Sequence, residues 1–255
     1  MKNIREKLHI STIDGNAGGL ARAHGLGIEC AEFCWAHYLD CEREKHLAAA
    51  KQAADGIGSL WFHAPFAEIS PCAIDPRVRE LTALRYRQSA EAAAELGIRR
   101  LVIHGGYIPY VYFPESFVAE SVRFWKEFLR DAPGDIVIAL ENVMEPSPDM
   151  LVEIVRETGD ERLGLCLDVG HANCGYSEKP PLDWIAPMSP YLRHVHLHNN
   201  HGEKDEHLPL GNGSIPMEAV MERIRALCPG ADFTIENMDS RDSVAWLKEK
   251  GFIDD

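Results

Sequence analysis

Long hydrophobic runs are missing from this sequence of 255 residues. The first twenty residues contain no apolar run of seven or more after the basic start, and no later stretch approaches the roughly eighteen residues that would span a bilayer. A soluble, unprocessed, cytoplasmic chain is the expectation. Paired cysteines are missing too. The seven cysteines are odd in number, scattered and without a CxxC pair, which argues against a disulfide framework or a thiolate zinc site and fits a reducing compartment. Positive charge is scarce. With 26 Lys and Arg against 40 Asp and Glu, the net charge of −14 argues against a broad footprint for nucleic acid or an anionic membrane and leaves room only for a local patch. A phosphate-binding fingerprint is also absent, because Gly15, Gly18 and Gly19 do not fit GxGxxG.

What is present is an alternation. Eight short runs rich in β-branched and aromatic residues, at 8–12, 28–33, 60–66, 101–105, 136–142, 163–168, 192–198 and 233–237, alternate with segments of helical periodicity. Helices are predicted at 42–54, 75–96, 115–130, 148–157, 217–227 and 241–250. In 75–96, Pro76 suits a first-turn position, Leu81, Leu84, Ala92 and Leu96 are core candidates, and Gly97 can end the helix. Eight β/α repeats at 45% hydrophobic content, with no linker dividing them, predict one domain over residues 1–255: a single (β/α)8 barrel. A doubly wound open sheet is the alternative.

A buried parallel strand should be apolar, so a polar residue at its C-terminal end is a chemical candidate in a barrel whose sites cluster there. Six consecutive strands carry one: His63 in LWFHAPF, His104 in LVIHGG, Glu141 in IVIALEN, Asp168 in LGLCLDVGH, His196 in HVHLH and Glu236 in FTIEN. Any one alone reads as a hydrogen-bonded core residue. Together, two glutamates and an aspartate in one mouth call for cations, since unpaired buried carboxylates either pay desolvation or shift their pKa. His171 in DVGH and the pair Asp205 and His207 in DEHLPLGNG extend the set. Histidine and carboxylate donors without thiolate suit zinc and its neighbours. On the seventh strand His194, His196 and His198 share one face, with Val195 and Leu197 turned to the helices. His196 is favoured as the ligand, His198 as a supporting or substrate contact, and His194 and His201 as structural or surface residues.

These motifs, in this order and spacing, resemble the superfamily that joins xylose isomerase-like barrels to endonuclease IV, the family 2 apurinic endonucleases. The likeness covers most of the chain. It implies one metal at His63, His104 and Glu141, a second at Glu141, Asp168, His196 and Glu236, and a third at His171, Asp205 and His207. The sugar-isomerase branch generally keeps only the Glu, Asp, His, Glu quartet around one metal. IECAEF looks more like that branch, and the DNA-gripping loops of the repair enzymes are not recognisable. In their place stand Trp35, Tyr38, Tyr107, Tyr110, Tyr112 and Phe113, suited to stacking on a base or sugar face or to plain loop packing.

Two chemistries follow, with Glu141, Glu236 and His171 as candidate catalytic residues. Four ligand carboxylates against one divalent ion leave two negative charges, and against three ions two positive ones, which suits a phosphodiester and hydroxide. The favoured expectation is a multinuclear zinc phosphoester hydrolase acting on a phosphoester or abasic DNA. The alternative is a sugar or sugar-phosphate isomerase or epimerase with a single Mn2+, Mg2+ or Co2+, in which Glu141 and Glu236 exchange a proton with carbon and His171 contacts the sugar. A barrel that binds metal or ligand without turnover is the third class.

Overall fold

Each of the eight apolar runs forms a strand in the computed structural model, which describes residues 3–254. The strands are β1 (Leu8–Ser11), β2 (Gly27–Cys30), β3 (Leu60–His63), β4 (Arg100–His104), β5 (Val137–Glu141), β6 (Leu163–Asp168), β7 (Leu192–Leu197) and β8 (Asp232–Ile235). All neighbours pair in parallel, and β8 returns to β1 to close the barrel. The helices are α1 (Ala17–His24), α2 (Arg43–Ala54), α3 (Pro76–Glu95), α4 (Pro114–Asp131), α5 (Asp149–Thr158), α6 (Pro181–Met188), α7 (Met217–Leu227) and α8 (Arg241–Glu249). Closure removes both sheet edges, so the open-sheet alternative is set aside. Among the described residues no helix is long and apolar enough to cross a membrane.

Several boundaries move. β2 and β3 end three residues before the predicted limits, because the chain turns over the mouth there: Thr12 Oγ1 accepts from Ala31 N at 2.8 Å, and Phe66 N donates to the Cys34 carbonyl at 3.4 Å. Helices α1 and α6 were not expected. Their sequences AGGLARAH and PLDWIAPM carry Gly18, Gly19 and Pro187, which argue against helix by propensity, and tertiary packing overrides that preference. In α3 the capping reading holds: Asp75 accepts from Arg77 N at 2.8 Å, Pro76 opens the helix, and Gly97 leaves it at φ 74°. The core reading of α3 needs correction. Ala92 is buried and Leu96 packs against the core as expected, but Leu81 and Leu84 are exposed, and Thr82, Tyr86, Ser89 and Ala93 are buried instead. Apart from Tyr86, the buried stripe is made of small residues that let the helix approach the barrel, so hydrophobicity alone misplaced the two leucines.

Alternation along the strands divides the apolar residues in two. Those facing outward, Val195 and Leu197 among them, join the large core between sheet and helices. Those facing inward form a separate small cluster of Trp61, Val102, Ala139 and Cys166. Below that cluster, where the strands begin, a polar network closes the barrel. Asp232 accepts from Arg100 at 2.6 Å and from Trp61 Nε1 at 3.0 Å, Arg100 also donates to Ser59 Oγ at 3.0 Å, and His9 Nε2 lies 2.8 Å from that hydroxyl. Above the cluster lies the mouth.

Candidate metal centre

Strand pairing sets the expected residues side by side at the C-terminal rim: His104 is opposite Glu141, and Asp168 is opposite His196. The structure brings all nine together. Glu141 Oε2 lies 3.2 Å from His63 Nε2 and 3.4 Å from His104 Nε2. Its other oxygen, Oε1, lies 3.3 Å from His171 Nδ1 and 3.4 Å from His196 Nδ1. His196 Nδ1 is also 3.7 Å from Asp168 Oδ2 and 3.5 Å from Glu236 Oε2. Asp205 Oδ2 is 3.3 Å from His171 Nε2 and 2.9 Å from His207 Nε2. His198, expected in a supporting place, puts Nε2 3.0 Å from Asp168 and stacks on His207 at 4.0 Å, so it stands within ligand range of two of the groups. His194 is buried beneath, and His201 sits on the surface against Glu206.

An asparagine after three of the strands holds the loops that carry His171, Asp205 and His207. Asn142 exchanges two hydrogen bonds with the Asp168 backbone, at 2.9 and 3.0 Å. Asn199 and Asn237 donate to the carbonyls of Leu210 and of His207 and Leu208, which pins the 205–210 segment over the mouth. In DVGH the glycine is required by approach: a Cβ on Gly170 would lie 1.9 Å from His198 Cε1.

The imidazoles are oriented for coordination. Nδ1 faces an acceptor-only carbonyl in His63 (Ala64, 2.8 Å), His171 (Asn142, 2.9 Å) and His207 (Glu236, 2.8 Å), so Nδ1 holds a proton and Nε2 is the nitrogen that would give its lone pair to a cation in place of a second proton. His196 is reversed. Its Nε2 meets the Glu29 carboxylate at 3.0 Å, which leaves Nδ1 pointing at three carboxylates with no hydrogen-bond partner. A bare lone pair facing three anions is repulsive, so a proton or a metal cation must sit there. The residues fit a divalent ion, with nitrogen and oxygen donors and no thiolate among them.

Electrostatics match this crowding. Burial would raise Glu141 and Asp168, but the facing imidazoles hold both well below the usual carboxylate range. Burial raises Glu236 against the pull of His196, with Glu141 and Glu29 adding to the rise. Burial drives His104 down to about 3. His207 goes the other way: burial opposes its charge, yet Asp205 and Glu236 carry it up to about 9.

Some residues escaped the sequence reading. Glu29 is wholly buried in mid-barrel, accepting from His194 at 2.9 Å, His196 at 3.0 Å and Thr234 at 2.7 Å. The signal was available, a charged residue between Ile28 and Cys30 in a buried strand, but it lies below the strand end where candidates were sought. Glu145 and Glu32 each bury a carboxyl oxygen without a partner. Of the aromatic residues, Trp35, Tyr38, Tyr107 and Tyr112 line a cavity of about 1130 Å³ over the cluster, while Tyr110 and Phe113 do not line it and are exposed to solvent.

A family model described as xylose isomerase-like TIM barrel matches residues 20–250. An uncharacterized protein of Methanocaldococcus jannaschii is 31% identical over 217 residues, 82% of this chain and 73% of that protein. A probable endonuclease 4 of Mycobacterium leprae is 26% identical over 204 residues, 75% of this chain and 78% of the relative. Among solved structures, a D-tagatose 3-epimerase-like protein superimposes with a TM-score of 0.79 at 28% identity, covering 96% of both chains.

Proposed function

The chain belongs to the xylose isomerase-like TIM barrel family, and on that premise we propose that it is a divalent-metal-dependent phosphoester hydrolase of the cytoplasm whose mouth takes up to three ions, zinc by the chemistry of its donors. The observation that carries this reading is the split engagement of Glu141, one oxygen toward His63 Nε2 and His104 Nε2 and the other toward the unpartnered Nδ1 of His196. A single-ion site at Glu141, Asp168, His196 and Glu236 has no use for the two further imidazoles converging on Oε2. His63, His104 and Glu141 would hold one ion, Glu141, Asp168, His196 and Glu236 a second, and His171, Asp205 and His207 a third. When bound, such ions supply Lewis acidity that polarises a phosphoester and activates water at neutral pH. The chain's own part is positioning. Glu141 is shared by the two inner groups, and Glu29 keeps His196 Nδ1 free. Similarity to a probable endonuclease 4 supports the hydrolase side of the family. The test is hydrolysis of bis(4-nitrophenyl) phosphate by the zinc-loaded chain. His104→Ala and His207→Ala should each lose at least about a hundredfold, the scale of several kcal/mol of Lewis-acid stabilisation. Near-normal turnover by both variants would overturn the reading.

A sugar isomerase or epimerase with one Mn2+, Mg2+ or Co2+ is the second reading. It is favoured by the likeness to the D-tagatose 3-epimerase-like structure and by Glu141 and Glu236 flanking His196 Nδ1 at 3.4 and 3.5 Å. His171 would then contact the sugar. This reading predicts solvent deuterium entering beside a ketose carbonyl, and a ketose panel without exchange removes it.

A further inference from the structure

Charge is distributed unevenly over the cavity above the cluster. Among the described residues that line it, six are carboxylates and none is lysine or arginine. Three of the six, Glu141, Asp205 and Glu236, belong to the candidate ligand groups, while Glu32, Glu68 and Glu206 stand apart from them. Any positive charge that ions bring is therefore confined to the floor, under walls that are acidic or apolar.

The wall on the β2 to β4 side is aromatic. Trp35, half exposed at the rim, meets Phe66 at 5.9 Å, and Phe66 stacks on His104 at 4.6 Å and 14°. Tyr38 stands behind Trp35's loop, stacked on His46 at 3.8 Å. This gives a continuous π surface from solvent to a ligand of the first group. Beside it, Glu32 Oε2 is buried without a hydrogen-bond partner, an acceptor open to a ligand hydroxyl or N–H.

We propose that the substrate is a compact molecule with at most one anionic group, seated at the floor, and an aromatic or apolar face laid along Trp35 and Phe66, and that a polynucleotide is not the substrate. The inference rests on the metal-centre reading for its floor. A nucleic-acid strand carries a phosphate about every 3.4 Å of rise, and proteins gain affinity for it by neutralising several of them with Lys and Arg. A strand entering this mouth would bring its flanking phosphates toward acidic walls that hold Glu68 and Glu206 and no lysine or arginine among the described lining residues, on a chain already at −14. An aromatic wall without basic residues is suited instead to stacking one ring or sugar face, which contributes about 1–3 kcal/mol per stacked base in nucleic-acid sites.

The experiment is calorimetric titration of the zinc-loaded full chain with matched probes that have no ester bond to cleave: diphenylphosphinate, dimethylphosphinate and a duplex containing a tetrahydrofuran abasic site. Diphenylphosphinate should bind at least about tenfold tighter than dimethylphosphinate, with log K against log salt no steeper than about −1. Trp35→Ala should remove most of that difference and leave dimethylphosphinate unchanged. The duplex should bind no tighter than dimethylphosphinate until Glu68→Lys and Glu206→Lys are introduced together, which should improve it at least about tenfold. A duplex that binds the unaltered chain more tightly than diphenylphosphinate, with a slope of about −3 or steeper, overturns the proposal, as does a diphenylphosphinate affinity indifferent to Trp35→Ala. Turnover separates the two proposals: ring-selective binding without hydrolysis of bis(4-nitrophenyl) phosphate removes the hydrolase reading alone, and hydrolysis with preferred duplex binding removes this one alone.

Discussion

Where the strands begin, Arg100 is answered by Asp232, Trp61 donates to the same carboxylate, and Ser59 joins Arg100 to His9. Where the strands end, three carboxylates surround a His196 nitrogen that has no hydrogen-bond partner, His198 Nδ1 is likewise unpartnered, and Glu145 buries a bare oxygen. Both ends of the barrel are polar and enclosed. One balances its charges within the chain, and the other concentrates donors that lack a counter-ion. The difference separates stability from function: a closed network holds the barrel shut, while an unbalanced one is costly unless a cation completes it.

Substitutions at the two ends should therefore fail in different ways. The largest effect is expected at Glu141, shared by the inner groups. Glu141→Ala should reduce bound metal to one ion or none and lower phosphodiester turnover by about a thousandfold, read by metal analysis and by assay.

Glu145 sharpens the contrast through pH. Burial raises its carboxyl from 4.5 to about 7, with the Val143 and Glu145 backbone amides opposing the rise. In that window the folded chain keeps a proton that the unfolded chain releases, so the contribution of Glu145 to metal-free stability should fall as pH rises from 4.5 to 7 and stay level above, which the difference between the native chain and a Glu145 variant isolates. The loss is about 3 kcal/mol. Urea unfolding of metal-free Glu145→Gln should show a comparable gain at pH 8 and none near pH 4, and equal gains at both would contradict the assignment.

At the closed end, Asp232→Ala leaves Arg100 half-buried and unpaired. It should cost about 2 kcal/mol of unfolding free energy, reduced from a fully buried pair because the Arg100 side chain is 32% exposed, while metal content stays unchanged. The smallest effect is expected at Glu29, which is outside the nine expected ligands, lies within ligand range of His63, His196 and Glu236, and acts through its hydrogen bond to His196. Glu29→Gln should weaken metal affinity about 10–100-fold in a chelator competition, with the fold intact by circular dichroism.

Much of this contrast was legible before the structure. Period-two alternation with a polar residue at the strand end located His63, His104, Glu141, Asp168, His196 and Glu236, because a parallel barrel leaves such residues no other environment. The loop residues His171, Asp205 and His207 were added to the set as polar neighbours in DVGH and DEHLPLGNG, and their grouping as a third candidate site came from motif resemblance, since loops carry no periodicity. The closed end was not foreseen at all: Arg100 and Asp232 begin their strands and look like ordinary surface charges in sequence, and only closure of the barrel brings them together. Helices α1 and α6 were hidden for a local reason, glycine and proline at positions that packing forgives. Glu29 was overlooked because a mid-strand charge has meaning only once its partners from β7 and β8 are known.

The most direct test of the central claim is metal stoichiometry by inductively coupled plasma mass spectrometry on the chain purified without chelator. Two to three zinc ions per chain are predicted from the split engagement of Glu141. A single ion, bound unchanged in His104→Ala and His207→Ala, would contradict the account and leave the isomerase reading in its place.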